Sequence, residues 1–240
     1  MTAPRWAETD RETLRRLLPD ALVLLPIGAT EQHGRHLATG TDALLAATTC
    51  ERAADAAAGT ATRPLVLAPA LPFGASDHHL EFGGTLSLTP ETLLAVLADL
   101  ARSVAAQGGR RMVVVNGHGG NVGVCRSFAG LAATRYGLSV AYLDYWRLAG
   151  ADPRVPGHAG EFETALMLAV RPELVRPAEP REAPDPPSIV DVELHSMDTW
   201  RVIDGFTDHP ERADAERGRR WLDTIVTAMA DRFVELARIL

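Results

Sequence analysis

The 240-residue chain is predicted to be an α/β protein with a mostly parallel central sheet covered by helices on both faces. Three observations predict it. Apolar runs of strand length, beginning with Ala21–Ile27 (ALVLLPI), lack polar alternation, as strands buried on both faces do. Each run is followed by a longer helical pattern, and strand and helix alternate four times. Glycine-rich polar loops stand at the carboxyl ends of the runs, where ligands bind in open α/β sheets.

Each element has a local reason. Thr9–Leu18 reads as a short helix, with Thr9 or Asp10 as N-cap and Glu12 near the third position. Ala21–Ile27 is the first strand. Ala43–Ala58 (ALLAATTCERAADAAA) is an alanine-rich helix stopped by Gly59. Leu65–Ala70, behind Pro64, is the second strand. Thr89-Pro90 opens a long helix through Gln107, with a threonine cap followed by proline in the first turn. Gly108-Gly109 ends it. Met112–Val115 is the third strand; a helix from Val122 to Tyr136 stops at Gly137, and Leu138–Leu143 is the fourth strand. Right-handed crossovers are expected between them. Gly160–Ala169 reads as helical, Pro177–Pro187 (PAEPREAPDPP) as a surface excursion, and Ala213–Ile239 as a final amphipathic helix. With no repeat and no second core in view, residues 1–240 are read as one domain.

Composition excludes several classes. The net charge of −7 without a long basic run argues against nucleic acid and anionic membranes. Cys50 and Cys125 lie far apart without a C-x-x-C, so a disulfide framework or a thiolate zinc site is not expected. The polar N-terminal stretch lacks an apolar signal region, and no apolar run reaches membrane-spanning length. A cytoplasmic protein fits these features.

The chemistry is concentrated in the loops. After Ala21–Ile27 the chain offers Glu31, His33 and then Asp42. Glu-x-His in extended backbone places both side chains on one side. Asn116-Gly-His-Gly-Gly-Asn121 follows MVVV directly, and its glycines give His118 room to point into a site. His158-Ala-Gly-Glu-Phe-Glu163 puts Glu163 early in a helix, with His158 just before it. Together Glu31, His33, Asp42, His118 and Glu163 supply oxygen and nitrogen ligands without a thiolate. That set suits zinc, manganese or iron, and two ions if a carboxylate bridges. Two adjacent ions would lower the pKa of a bridging water to give hydroxide at neutral pH, leaving His158 to carry the proton.

Over nearly its whole length the sequence resembles the creatininase family, creatinine amidohydrolase and its relatives. The matching pieces are PIGATEQHGRHLATGTD, FGGTLSL, VVVNGHGGN, DYW at Asp144–Trp146, HAGEFETALMLA and GFTDHPERADAERGRR. The resemblance implies a three-layer α/β/α sandwich, two divalent metal ions per chain, hydrolysis of amide-like C–N bonds in a small-molecule substrate, and a homo-oligomer, often a hexamer. By the same resemblance Glu31 and His118 bind one ion and His33 the other, Asp42 bridges, and His158 is the catalytic histidine followed by the acid Glu163. Ser76, His79, Tyr145 and Trp146 are implied to line the substrate pocket.

Two departures point away from creatinine itself. Creatinine hydrolases carry a metal-ligating glutamate where this chain has Gly120, and a longer, tryptophan-bearing lid where it has Gly150–Gly157 (GADPRVPG). The pocket is therefore expected to be open and short of an aromatic wall. Glu163 is expected to complete the second ion's ligands, and Glu161, two residues away on a helix, to face solvent. Family branches that keep NGHGGN include formamide deformylases and a peptidase of a peptide-derived redox cofactor pathway. A short-peptide peptidase or a deformylase is therefore the alternative reading, and a non-catalytic metal-bearing oligomeric subunit a more distant one.

Overall fold

The computed structural model describes residues 2–151, 155–180 and 194–240. Four parallel strands, β1 (Leu22–Ile27), β2 (Leu65–Leu67), β3 (Arg111–Asn116) and β4 (Ser139–Asp144), form a sheet in the order β2-β1-β3-β4. The helices are α1 (Arg11–Leu17), α2 (Thr41–Ala57), α3 (Pro90–Ala106), α4 (Val122–Tyr136), α5 (Glu161–Val170), α6 (Met197–Val202) and α7 (Ala215–Ile239).

Strand alternation divides the core. Leu22 and Leu24 of β1 and Val113 and Val115 of β3 face the layer that includes α2, α5 and α7. Val23, Leu25 and Ile27, with Met112 and Val114, face the layer of α1, α3 and α4. Because both faces are covered, β1 is buried throughout, which is why its sequence shows no polar alternation.

Capping chemistry sets the helix ends. Asp10 accepts from the backbone N–H of Glu12 and Thr13 at 2.9 and 3.1 Å, and Asp214 from Arg217 at 2.9 Å. Thr89 accepts from Thr92 at 3.3 Å, ahead of Pro90. Several details differ from the sequence expectation. The second strand is shorter than expected, with Leu67 its last residue paired to β1. The second helix begins at Thr41, so Asp42 sits in its first turn. A short helix, α6, appears where none was expected. Pro177–Pro180 runs as coil; residues 181–187 of the proline-rich stretch lie outside the described residues.

From β1 the chain crosses to β2 on one side, then returns across to β3 on the other. The crevice between β1 and β3 is the switch point of the sheet, where Ile27, Asn116 and Asp144 end their strands in register. Loops carrying Glu31, His33 and His118 leave from this edge.

Candidate active site

The loop after β3, Asn116-Gly-His-Gly-Gly-Asn121, is held by its two asparagines. Asn116 Oδ1 accepts from the backbone N–H of His118 at 3.1 Å, and its Nδ2 donates to the His118 carbonyl at 2.8 Å and to Asp144 Oδ1 at 3.0 Å. Asn121 accepts from Ala75 N at 2.9 Å and donates to Gly28 O at 3.0 Å, tying the loops after β1, β2 and β3 together. Gly117 lies where a side chain would strike the Asp42 carbonyl and Ala46 of α2, so glycine lets the loop close on that helix.

Glu31, His33, Asp42, His118 and Glu163 are all buried and converge. His33 Nε2 is 2.9 Å from Asp42 Oδ1 and 3.8 Å from Glu163 Oε2. His118 Nδ1 is 3.2 Å from Glu31 Oε1 and 3.1 Å from Asp42 Oδ2. His158 Nδ1 lies 3.4 Å from the same Glu31 oxygen. Glu163 Oε2 accepts from Ala159 N at 2.6 Å, which turns the carboxylate inward.

The hydrogen-bond network assigns the tautomers. His33 Nδ1–H donates to the Glu31 carbonyl at 3.1 Å, and His118 Nε2–H to the Ala75 carbonyl at 3.1 Å. Gln32 uses both amide hydrogens on Gly205 O at 2.6 Å and His79 Nδ1 at 2.9 Å. His158 Nε2 lies 3.0 Å from both Gln32 Nε2 and the Gln32 backbone carbonyl, and because a carbonyl can only accept, His158 Nε2–H donates to it. Neutral His33, His118 and His158 thus turn lone pairs toward carboxylates, whereas His79 presents an N–H.

Lone pair facing lone pair at such distances needs a proton or a cation between. Burial opposes charge on His33, but the neighbouring Asp42 carboxylate outweighs it and carries the imidazole up to about 10. Burial likewise opposes a charge on His118, and Glu31 and Asp42 overcome it. The Asp42 carboxyl is held below its ordinary range, because His33 and His118 outweigh its burial. Burial raises Glu163 to about 8. Burial, reinforced by His33, keeps His158 neutral, well below the usual imidazole range. Among the described residues, both oxygens of Glu31, Oδ2 of Asp42 and Nε2 of His79 are buried with no hydrogen-bond partner. Unpaired buried carboxylate oxygens such as those of Glu31 and Asp42 are costly unless a cation takes them. The donors also fall into compact groups able to hold a metal: Glu31-His33-His158, His33-Asp42-Glu163 and Glu31-His78-His118.

A cavity of about 590 Å³ opens onto this cluster, lined by Asp42, His78, His79, His118, His158 and Trp200 among others. Trp146 is also in its wall. Ser76 stands behind it, with Oγ 3.2 Å from His118 Nε2, and Tyr145 packs into the core against Phe162.

The family described as "Creatininase: Creatinine amidohydrolase" matches residues 7–233. The chain belongs to the creatininase family. It is a creatininase-family amidohydrolase, 36% identical over 218 residues to the mycofactocin precursor peptide peptidase of Mycobacterium tuberculosis (strain CDC 1551 / Oshkosh), covering 87% of this chain and 81% of that one. It is 30% identical over 237 residues to the creatinine amidohydrolase of Pseudomonas putida, covering 88% of each. The solved structure "Creatininase Mn" superposes with a TM-score of 0.83 at 29% identity, over 97% of this chain and 98% of that one.

Two sequence expectations are overturned. The pocket does not want for an aromatic wall: Trp200 of α6 covers His79, His158 and His78 at ring distances of 4.5, 5.6 and 5.4 Å. Of Gly150–Gly157, residues 152–154 lie outside the described residues. Nor does Glu161 face solvent; it is 3% exposed and paired with Arg217 of α7. It does point away from Glu163, but that side of α5 packs against α7. Sequence reasoning missed Gln32, His78 and Trp200. His78 had a signal in Asp77-His78-His79, and Gln32 stood inside PIGATEQHGRHLATGTD between Glu31 and His33; Trp200 carries no local motif.

Proposed function

We propose that this amidohydrolase cleaves an amide or cyclic-amide C–N bond of a small molecule at a centre of two divalent ions. Glu31 and His118 would hold one ion and His33 and Glu163 the other, with Asp42 shared between them. The observation that carries the reading is the buried set of facing lone pairs on Glu31, Asp42, His33 and His118. Zinc, manganese or iron suits such nitrogen and oxygen donors. When bound, the ions polarise a carbonyl and acidify water.

The remaining work falls to the chain. His158, neutral and anchored through Nε2–H to Gln32, takes at Nδ1 the proton that the attacking water loses as its oxygen bonds to the carbonyl carbon, and returns it to the nitrogen as the C–N bond breaks. His79, stacked on His158 at 4.2 Å, offers its Nε2–H to a substrate oxygen. Trp146 walls the cavity and Trp200 covers it, excluding water from the reacting bond.

A second reading, cleavage near the end of a short peptide, is favoured by the 36% identity to a precursor-peptide peptidase against 30% to a creatinine amidohydrolase. A cavity of about 590 Å³ also exceeds the needs of one small ring. Both readings share one centre, and a homo-oligomer is proposed for both.

The test is metal analysis together with His158→Ala. The purified protein should carry two divalent ions per chain and lose hydrolysis on chelation. His158→Ala should keep both ions and lose roughly 10²–10⁴-fold in kcat. A variant that sheds an ion would make His158 a ligand and overturn its role. Mass spectrometry of products from short peptides and cyclic amides separates the substrate classes.

A further inference from the structure

The third donor group, Glu31-His78-His118, contains a histidine that the two-ion reading leaves without a task. His78 lies in the 3-10 turn Asp77–Phe82, next to His79, and borders the cavity. Its ring is parallel to that of His118 within 4°, with centroids 5.7 Å apart. A ring nitrogen of His78, one of His118 and a carboxylate oxygen of Glu31 all fall within 4.8 Å of one another. That is close enough for one cation to touch all three.

The neighbouring backbone says why a histidine can stand here. A Cβ at Gly120 would overlap the carbonyl oxygen of Ala75, sit 2.5 Å from His118 Nε2 and meet His78 Cε1 at 3.1 Å. The volume that a side chain at position 120 would enter is already occupied. Its occupants include the imidazole of His78.

We infer that His78 is a ligand of the ion held by Glu31 and His118, giving that ion a Glu-His-His set. With the shared Asp42 that makes two imidazoles and two carboxylates, and a five-coordinate divalent ion keeps one further position for water or substrate. Without His78 the ion would rest on Glu31, His118 and the shared Asp42, and Gly120 offers nothing to either ion. The inference rests on the metal reading of the preceding subsection and adds a ligand to it. Trp200, 5.4 Å from the His78 ring, would then press on a metal ligand and not merely on substrate.

The test is titration of the metal-free protein with Co(II), read by visible and near-ultraviolet absorption, on wild type, His78→Cys and His78→Gln. Circular dichroism of each metal-free variant checks the fold. Wild type should bind two equivalents without a sulfur-to-cobalt charge-transfer band, because Cys50 and Cys125 are fully buried in the two helix layers. His78→Cys should bind two equivalents and gain that band, since only a directly bound thiolate produces it. His78→Gln should lose the tight binding of one equivalent. Two tight equivalents in both variants with no new band would overturn the inference and leave the two-ion centre standing. Failure of wild type to bind Co(II) would overturn the centre itself, and His78 as its ligand with it. Should His78→Cys not fold, the loss or retention of one equivalent in His78→Gln decides the matter.

Discussion

Gly120→Ala should disable this enzyme although it adds one methyl group at an exposed loop position. The added Cβ would overlap the Ala75 carbonyl and stand 2.5 Å from His118 Nε2, against an ordinary contact distance of at least 3.4 Å. Relief therefore needs a shift of roughly 1 Å, and the Ala75 side is backbone tied to Asn121. The His118 ring is the part that gives. Its Nε2–H loses the Ala75 carbonyl, and its Nδ1 leaves the point 3.1–3.2 Å from Asp42 and Glu31. A misplacement of that size costs on the order of 100-fold in rate, and loss of a ligand's supporting hydrogen bond about 10–100-fold in metal affinity. Overpacking adds about 1–3 kcal/mol of lost stability. Gly119→Ala is the control, because a Cβ there meets nothing within 4 Å. The assay is metal titration by calorimetry with kcat measured on the metal-loaded proteins. Wild-type metal affinity and kcat in Gly120→Ala would refute the reasoning.

Three further outcomes are expected. Glu163→Gln should lose one ion by elemental analysis and most activity, whereas Glu161→Gln should keep both ions; breaking its buried partnership with Arg217 should lower Tm, by about 1–3 kcal/mol of stability. Trp200→Ala should raise KM roughly tenfold, about 1.4 kcal/mol, with metal content unchanged; an unaltered KM would remove Trp200 from the substrate site. His36, hydrogen-bonded to Thr164 at 3.0 Å, is held at about 4 by burial against an unfolded value near 6.5. Its neutral form therefore stabilises the fold fully above pH 6.5, and that contribution is lost as pH falls toward 4. The Tm of the metal-free protein should fall through this window less steeply in His36→Gln, and parallel curves would show that His36 does not contribute.

Much of the fold was legible because its causes are local. Apolar runs without alternation marked β1 and β3 as doubly covered strands, Thr89-Pro90 and Gly137 marked helix ends, and the loops after those strands announced their chemistry. Residues Glu31, His33, Asp42, His118 and Glu163 could be named as one set because each stands next to an identifiable strand or helix end. Their residue types alone implied hard-to-borderline divalent ions.

What only the tertiary structure decided are the contacts between residues far apart in the chain. Trp200 reaches His79 from more than a hundred residues away, along an element with no strand or heptad pattern to aim it. Gln32 settles which nitrogen of His79 and His158 carries the proton, and that depends on Gly205 arriving beside it. Glu161 was expected in solvent because helix spacing tells which way a side chain turns, but not what lies there; α7 lies there. A missing side chain at Gly120 reads in one dimension as a missing ligand. In three dimensions the space is filled, because the packing of Ala75, His118 and His78 determines the room at that position, and packing is a property of neighbours that sequence order does not list.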